Sequence, residues 1–131
     1  MALLGIDFGL KKIGLALVQG DLIQVLGAIR NSSQAVAEIG EVCRKNEVEK
    51  IIVGFPPNQS LSSKIKKFAH KLSSEIGLPV EFQDETLTSR EAVAKMIKEG
   101  IKRKKRKKLE DAVAAACILR EYLLRKEVES V

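Results

Sequence analysis

Three short apolar runs open this chain before any segment with helical spacing: Ala2 to Asp7, Ile13 to Val18 and Leu22 to Ile29. Each is rich in Leu, Ile and Val and too brief for a good helix, so each reads as a strand. Gly20-Asp21 between the second and third is a tight hairpin signal, and Gly9-Leu10-Lys11-Lys12 a slightly longer turn between the first two. An antiparallel meander is therefore expected first. Asn31 is placed to cap a following helix, on which Val36, Ile39, Val42, Cys43 and Asn46 recur on one face. Lys50 to Phe55 holds the buried-strand run Ile51-Ile52-Val53, and Pro56-Pro57 prevents further ladder bonds.

From about Ser63, Ile65, Phe68, Ala69, Leu72 and Ile76 make a second helical stripe, which Gly77 stops with Pro79 close behind. Val80 to Gln83 is a fifth strand. Thr88 and Glu91 form a capping box for a helix carrying Ala92, Val93, Met96 and Ile97 as far as Gly100, and Leu109 to about Lys126 is the last helix. Strand, helix, strand, helix, strand implies parallel pairing through right-handed crossovers. Joined to the meander, this predicts an α/β fold with a mixed five-stranded sheet flanked by helices. The pattern alone does not fix the strand order.

At 131 residues, 45% hydrophobic and 31% charged, the chain suits a single globular domain spanning 1–131. Asp7 and Lys11-Lys12 interrupt the apolar N-terminus well short of the ~20 residues a membrane span needs. No basic leader with a cleavage site is seen, so a cytoplasmic protein with no membrane contact is expected. Cys43 and Cys117 fall in helical stripes without metal-ligand spacing, which favours packing over zinc or a disulfide.

The formal charge is +6, whereas Lys102 to Lys108 carry seven positive charges among themselves, so the rest of the chain is slightly acidic. That run (Lys102, Arg103, Lys104, Lys105, Arg106, Lys107, Lys108) is read as a loop before the last helix. So local a block of cations points to a polyphosphate partner, with a merely solvated segment as the alternative.

In open α/β sheets, sites form beyond the carboxyl ends of parallel strands. Asp7 ends an apolar strand within Gly5-Ile6-Asp7-Phe8-Gly9, where an unpaired carboxylate would be costly, so it should meet a cation. Asp84-Glu85 directly follows the fifth strand. Asp111 is expected in the first turn of the last helix, where Ala112, Ala114, Ala115 and Ala116 are small enough to let that helix sit close to the sheet. Turn or helix capping is the plainer explanation for each acid taken alone. Together, three acids at element ends would repel one another without metal. Oxygen ligands of this kind suit Mg²⁺ or Mn²⁺, one or two ions, acting at a phosphodiester.

Four segments then carry a resemblance: Leu4-Gly5-Ile6-Asp7-Phe8-Gly9-Leu10-Lys11-Lys12-Ile13-Gly14-Leu15-Ala16, Ile52-Val53-Gly54-Phe55-Pro56, Asp84-Glu85-Thr86-Leu87-Thr88 and Asp111-Ala112-Val113-Ala114-Ala115. In this order they resemble the successive motifs of the YqgF/RuvX family, Holliday-junction-resolvase-like proteins assigned to maturation of the 5′ end of 16S ribosomal RNA. The resemblance covers nearly the whole chain. It implies an RNase H-like fold with sheet order 3-2-1-4-5 and strand 2 antiparallel. It implies a metal-dependent nuclease with Asp7, Glu85 and Asp111 as catalytic metal ligands, Asp84 assisting, and Lys11 and Lys12 contacting phosphate from the basic turn. Precursor rRNA or branched DNA is the implied partner, bound by a monomer or weak homodimer.

The chain departs from the family pattern at Thr86, where Arg is usual, and at Pro57-Asn58-Gln59-Ser60, where a Gly-containing loop is usual. Arg90 is the candidate to supply the missing guanidinium, against a solvent-facing role. His70 falls off its helical stripe and is expected to be exposed. At least three of Phe8, Phe55, Phe68 and Phe82 should be core, with Phe55 the one placed to stack on a base. Two other classes compete with the nuclease: a non-catalytic RNA or DNA binder using the basic run, and an actin-like nucleotide site. The latter would hold nucleotide between two such domains, and this chain has one.

Overall fold

Strand β1 (Ala2–Phe8) sends alternate side chains into two cores, Ala2, Leu4 and Ile6 to one face of the sheet and Leu3 to the other. Burial on both faces marks a central strand, and the computed structural model bears this out. It describes residues 2–20, 22–55, 59–84 and 103–129, the last helix's side chains only over 112–127. β2 (Lys12–Gln19) pairs antiparallel with β1, and β3 (Leu22–Arg30) antiparallel with β2. β4 (Val48–Phe55) runs parallel to β1 and β5 (Val80–Asp84) parallel to β4, giving the order β3-β2-β1-β4-β5. The sheet order and strand directions implied by the resemblance are those observed.

Two helices cover one face. Val36, Ile39 and Cys43 of α1 (Ala35–Lys45) and Ile65 and Leu72 of α2 (Gln59–Ile76) pack on Leu4, Ile6, Ile51 and Val53. α3 (Arg103–Glu129) covers the other, laying Ala115, Ile118, Leu119 and Tyr122 over Leu3, Ala16, Val18 and Ile52. Side chains such as Leu4, Ile51 and Leu119 are fully buried, each worth ~1.5–3 kcal/mol of transfer free energy. β3 is an outer strand of the sheet, and a bulge facing Leu15 and Ala16, with Gly27 at φ +117°, interrupts its ladder. No helix among the described residues is long and apolar enough to cross a membrane.

Several expectations are corrected. Asn31 does not cap α1: the N-cap position is Gln34, without a side-chain bond, and Asn31 Nδ2 instead donates to the Gly9 carbonyl at 2.8 Å. An amide side chain can serve either end of the backbone, and here the neighbouring turn's free carbonyl claims it. α2 begins at Gln59, before the apolar stripe that reveals it. α3 begins at Arg103, so Arg103 to Lys108 are helix and not loop, and Asp111 is two turns inside it, beyond the reach of first-turn dipole stabilisation. Gly77 does end α2 with a left-handed φ of +81°, its N–H donating to Ser73 O at 3.0 Å. The expected helix from Thr88 to Gly100 lies outside the described residues.

Candidate functional site

β1, β4 and β5 are parallel, so Asp7, Gly54-Phe55 and Gln83-Asp84 reach the same edge of the sheet. Asp7 is half-buried, paired with Gly14, and shares its face with Leu3 and Gly5, the face that α3 covers. A β-carbon placed on Gly5 would stand 2.5 Å from Leu119 Cγ and 2.8 Å from the Ala115 carbonyl oxygen. The helix backbone therefore rests directly on β1, as the small residues led one to expect; Ala112 and Ala115 are wholly buried.

This contact sets the register between helix and strand. Lys50, opposite Leu3, donates from Nζ to the Tyr122 hydroxyl at 3.3 Å, while Gly5 meets Leu119 and Ala115, so α3 runs antiparallel to β1. Two strand residues advance ~6.7 Å, the rise of roughly four to five helical residues at ~1.5 Å each. The step from Gly5 to Asp7 thus brings the helical turn that starts at Asp111 level with Asp7. Because α3 points its N-terminus toward this edge, the turns bearing Arg103 to Lys108 extend past it.

Beside Asp7 in the sheet is an unexpected polar group. Gly54 pairs with Gln83, and continuing the register one residue past Ile6 and Val53 sets Asp7 level with Gly54. Gln83 is only 8% exposed, and its Oε1 has no hydrogen-bond partner among the described residues. Its Nε2 donates a long 3.4 Å bond to the Asp84 carbonyl. Asp84 itself is exposed, opposite Phe55. Nothing in the local sequence marks Gln83, since its environment comes from other strands.

The basic turn is also built. Asn31 clips it through Gly9 O and through its own N–H to Lys11 O at 2.9 Å, and a β-carbon on Gly9 would collide with the Lys12 carbonyl. Lys12 pairs with Arg30 across β2 and β3, and Lys11, Lys12, Arg30 and Asn31 line one concavity. Arg30 escaped the sequence reading and Asn31 was read there only as a helix cap, because only the strand register places them beside Lys12. Glu85, Arg90 and Lys102 lie outside the described residues, as do the side chains of Asp111 and of Arg103 to Lys108. Among the described residues, no group of three or more His, Cys, Asp or Glu gathers as a metal cage.

Other groups are structural. His70 is exposed, as expected. Phe8 packs on Phe68 with centroids 5.0 Å apart, and Phe55 meets Phe82 edge-on at 5.3 Å. The most exposed of the four is Phe82 at 38%, not Phe55, because β5 ends the sheet while Phe55 packs on the core. Burial pushes the Cys43 thiol up to about 11, which denies it thiolate reactivity. At the far end of the sheet Lys50 Nζ binds Glu81 at 3.0 Å; the Glu81 and Tyr122 hydrogen bonds raise the lysine, and the lysine bond lowers the carboxyl.

Comparison with known proteins matches residues 1–125 to the family described as RuvX, Holliday junction resolvase. A Clostridium acetobutylicum protein named as a candidate pre-16S rRNA nuclease is 39% identical over 132 residues, covering 94% of this chain and 98% of its own. A Caldanaerobacter subterraneus protein of the same name is 40% identical over 134 residues, covering 94% and 96%. Among solved structures, Thermus thermophilus RuvC with a Holliday junction substrate superposes with a TM-score of 0.63 at 24% identity, covering 96% of each chain. The Fowlpox virus resolvase with Holliday junction DNA gives 0.61 at 16% identity, covering 95% of this chain and 98% of that one. At these identities the two structures speak for the RNase H-like fold.

Proposed function

Since the chain belongs to the RuvX family, we propose that it is a nuclease hydrolysing nucleic-acid phosphodiester bonds, with the 5′-extended precursor of 16S ribosomal RNA as its cytoplasmic substrate. What supports this reading is Asp7 at the carboxyl end of β1, on the face where α3 rests against Gly5, together with the basic turns at the start of that same helix. The name of the curated relatives supports the RNA substrate.

The donor set fits a divalent metal. Asp7, Asp111 and Glu85, with Asp84 beside it, offer hard oxygens, and Gln83 holds a buried amide oxygen, unpaired among the described residues, on the same face of the sheet as Asp7. A bound Mg²⁺ or Mn²⁺ would activate water and offset charge on the leaving oxygen. The protein's own residues do the rest. Asp7 and Asp111 hold the site's negative charge against the rigid contact of α3 on β1. Lys11, Lys12 and Arg30 grip a phosphate flanking the scissile bond, Arg90 assists, and Lys102 to Lys108 draw in the polyanion.

The test is cleavage of 5′-extended 16S precursor by the purified protein with Mn²⁺ or Mg²⁺, beside a four-way DNA junction. Precursor should be cut preferentially, and Asp7→Asn should lose at least ~100-fold in rate. Preferential cutting of the junction would transfer the proposal to branched DNA, the nucleic acid bound in the two structural neighbours. Tight, salt-sensitive binding with no turnover would instead make this a binding factor, and undiminished cutting by Asp7→Asn would remove the mechanism.

A further inference from the structure

Gln83 is the residue of this edge that the nuclease reading does not by itself require. Its side chain is inside the protein, at 8% exposure, yet its Oε1 accepts nothing from any described residue. A buried acceptor without a donor costs free energy that an apolar residue of similar size would not. The orientation of the amide is fixed by chemistry. The Asp84 carbonyl can only accept, so the NH₂ group must lie on that side, 3.4 Å away, and the oxygen on the other.

What that oxygen shares is a row of the sheet. Asp7, Gly54 and Gln83 stand level on β1, β4 and β5, on the face covered by α3, and the middle residue has no side chain. Two strand spacings separate Asp7 from Gln83, about 9.6 Å between backbones. A cation ~2.1 Å from the Asp7 carboxylate, carrying a water that donates over a further ~2.8 Å, would bridge that distance.

We propose that Gln83 is a positioning residue of the metal site, its Oε1 accepting a hydrogen bond from a water in the hydration shell of the divalent cation held at Asp7. This rests on the nuclease reading and assigns the β5 side of that same site. Outer groups of this kind orient what the ion carries, and removing them commonly weakens metal binding by ~10- to 100-fold.

The experiment uses the full chain and Mn²⁺ as the probe, with calorimetric titration and thermal melts in EDTA and in saturating Mn²⁺. Gln83→Met should melt higher than the parent in EDTA, where the orphan acceptor is simply removed, yet bind Mn²⁺ roughly 10-fold more weakly, so that its advantage shrinks or reverses with metal. Gln83→Asn keeps the amide but draws it back. It should also bind Mn²⁺ more weakly, and it carries the test if the Met variant does not fold. Equal Mn²⁺ affinity for parent and variant, with the same melting shift in both buffers, would overturn the role of Gln83 and leave the nuclease reading standing. A parent chain that binds no Mn²⁺ would instead bring down the nuclease reading itself, and this inference with it.

Discussion

Adding a single methyl group at Gly5 would drive a carbon into Leu119 Cγ and the Ala115 carbonyl at once. The first obstacle is a side chain that can turn away; the second is helix backbone, which can yield only if α3 lifts from β1. Gly5→Ala should therefore cost ~1–3 kcal/mol, the usual penalty for overfilling a packed core, measurable as a fall in urea midpoint at unchanged slope. Its cost to cleavage should be larger than its cost to stability, because lifting α3 separates the Asp111 turn from Asp7. Adding Leu119→Ala removes the softer obstacle and not the harder one, so cleavage should stay depressed in the double variant. Full recovery there would mean that the helix backbone was never the constraint.

At the scale of elements, α3 is tied at both ends of the sheet by different means. Near Asp7 the tie is close packing; at the other end Lys50 Nζ reaches both Glu81 and the Tyr122 hydroxyl. With its side chains 30% and 35% exposed, the Lys50–Glu81 pair is worth under ~1 kcal/mol. The lowered Glu81 makes its contribution above the ordinary carboxylate value of 4.5 and loses it as pH falls through the folded-state value. The raised Lys50 contributes below the ordinary 10.5 and loses it only as pH climbs through its own folded-state value. Glu81→Gln should thus lower the melting temperature by a degree or two at pH 7 and leave it unchanged well below pH 4, a difference that melts across that range would reveal. The start of α3 also shows what sequence conceals. Arg103 to Lys108 are as good helix formers as leucine but carry no apolar stripe, so periodicity finds the helix only from Leu109. The strands were legible because Ile51-Ile52-Val53 and its counterparts are apolar on both faces. Asp7 was legible because a carboxylate interrupts such a run. Gln83 and Arg30 were not, since burial of one and the pairing of the other with Lys12 depend on distant segments.

Across the whole molecule, topology brings opposite charges to one edge. The parallel strands β1, β4 and β5 all end there, and α3, antiparallel to β1, begins there, so the helix turns that hold the late cations start at the edge where β1 carries Asp7. A helix N-terminus is the worse end for positive charge, by ~0.3–1 kcal/mol for a well-placed group, and successive cations three and four apart also repel. The arrangement opposes stability in the free protein and favours a polyanion. Replacing Lys104, Lys105 and Lys107 together by Gln should therefore raise the melting temperature of the free protein while weakening nucleic-acid binding. For every phosphate no longer neutralised, the slope of log affinity against log salt should become shallower by roughly 0.7 to 0.9. Because these residues lie outward of the Asp111 turn, the weakening should fall on KM, with kcat held within about twofold. A lowered kcat at unchanged KM would place the run within the reacting centre, and an unchanged salt slope would show that it meets only solvent.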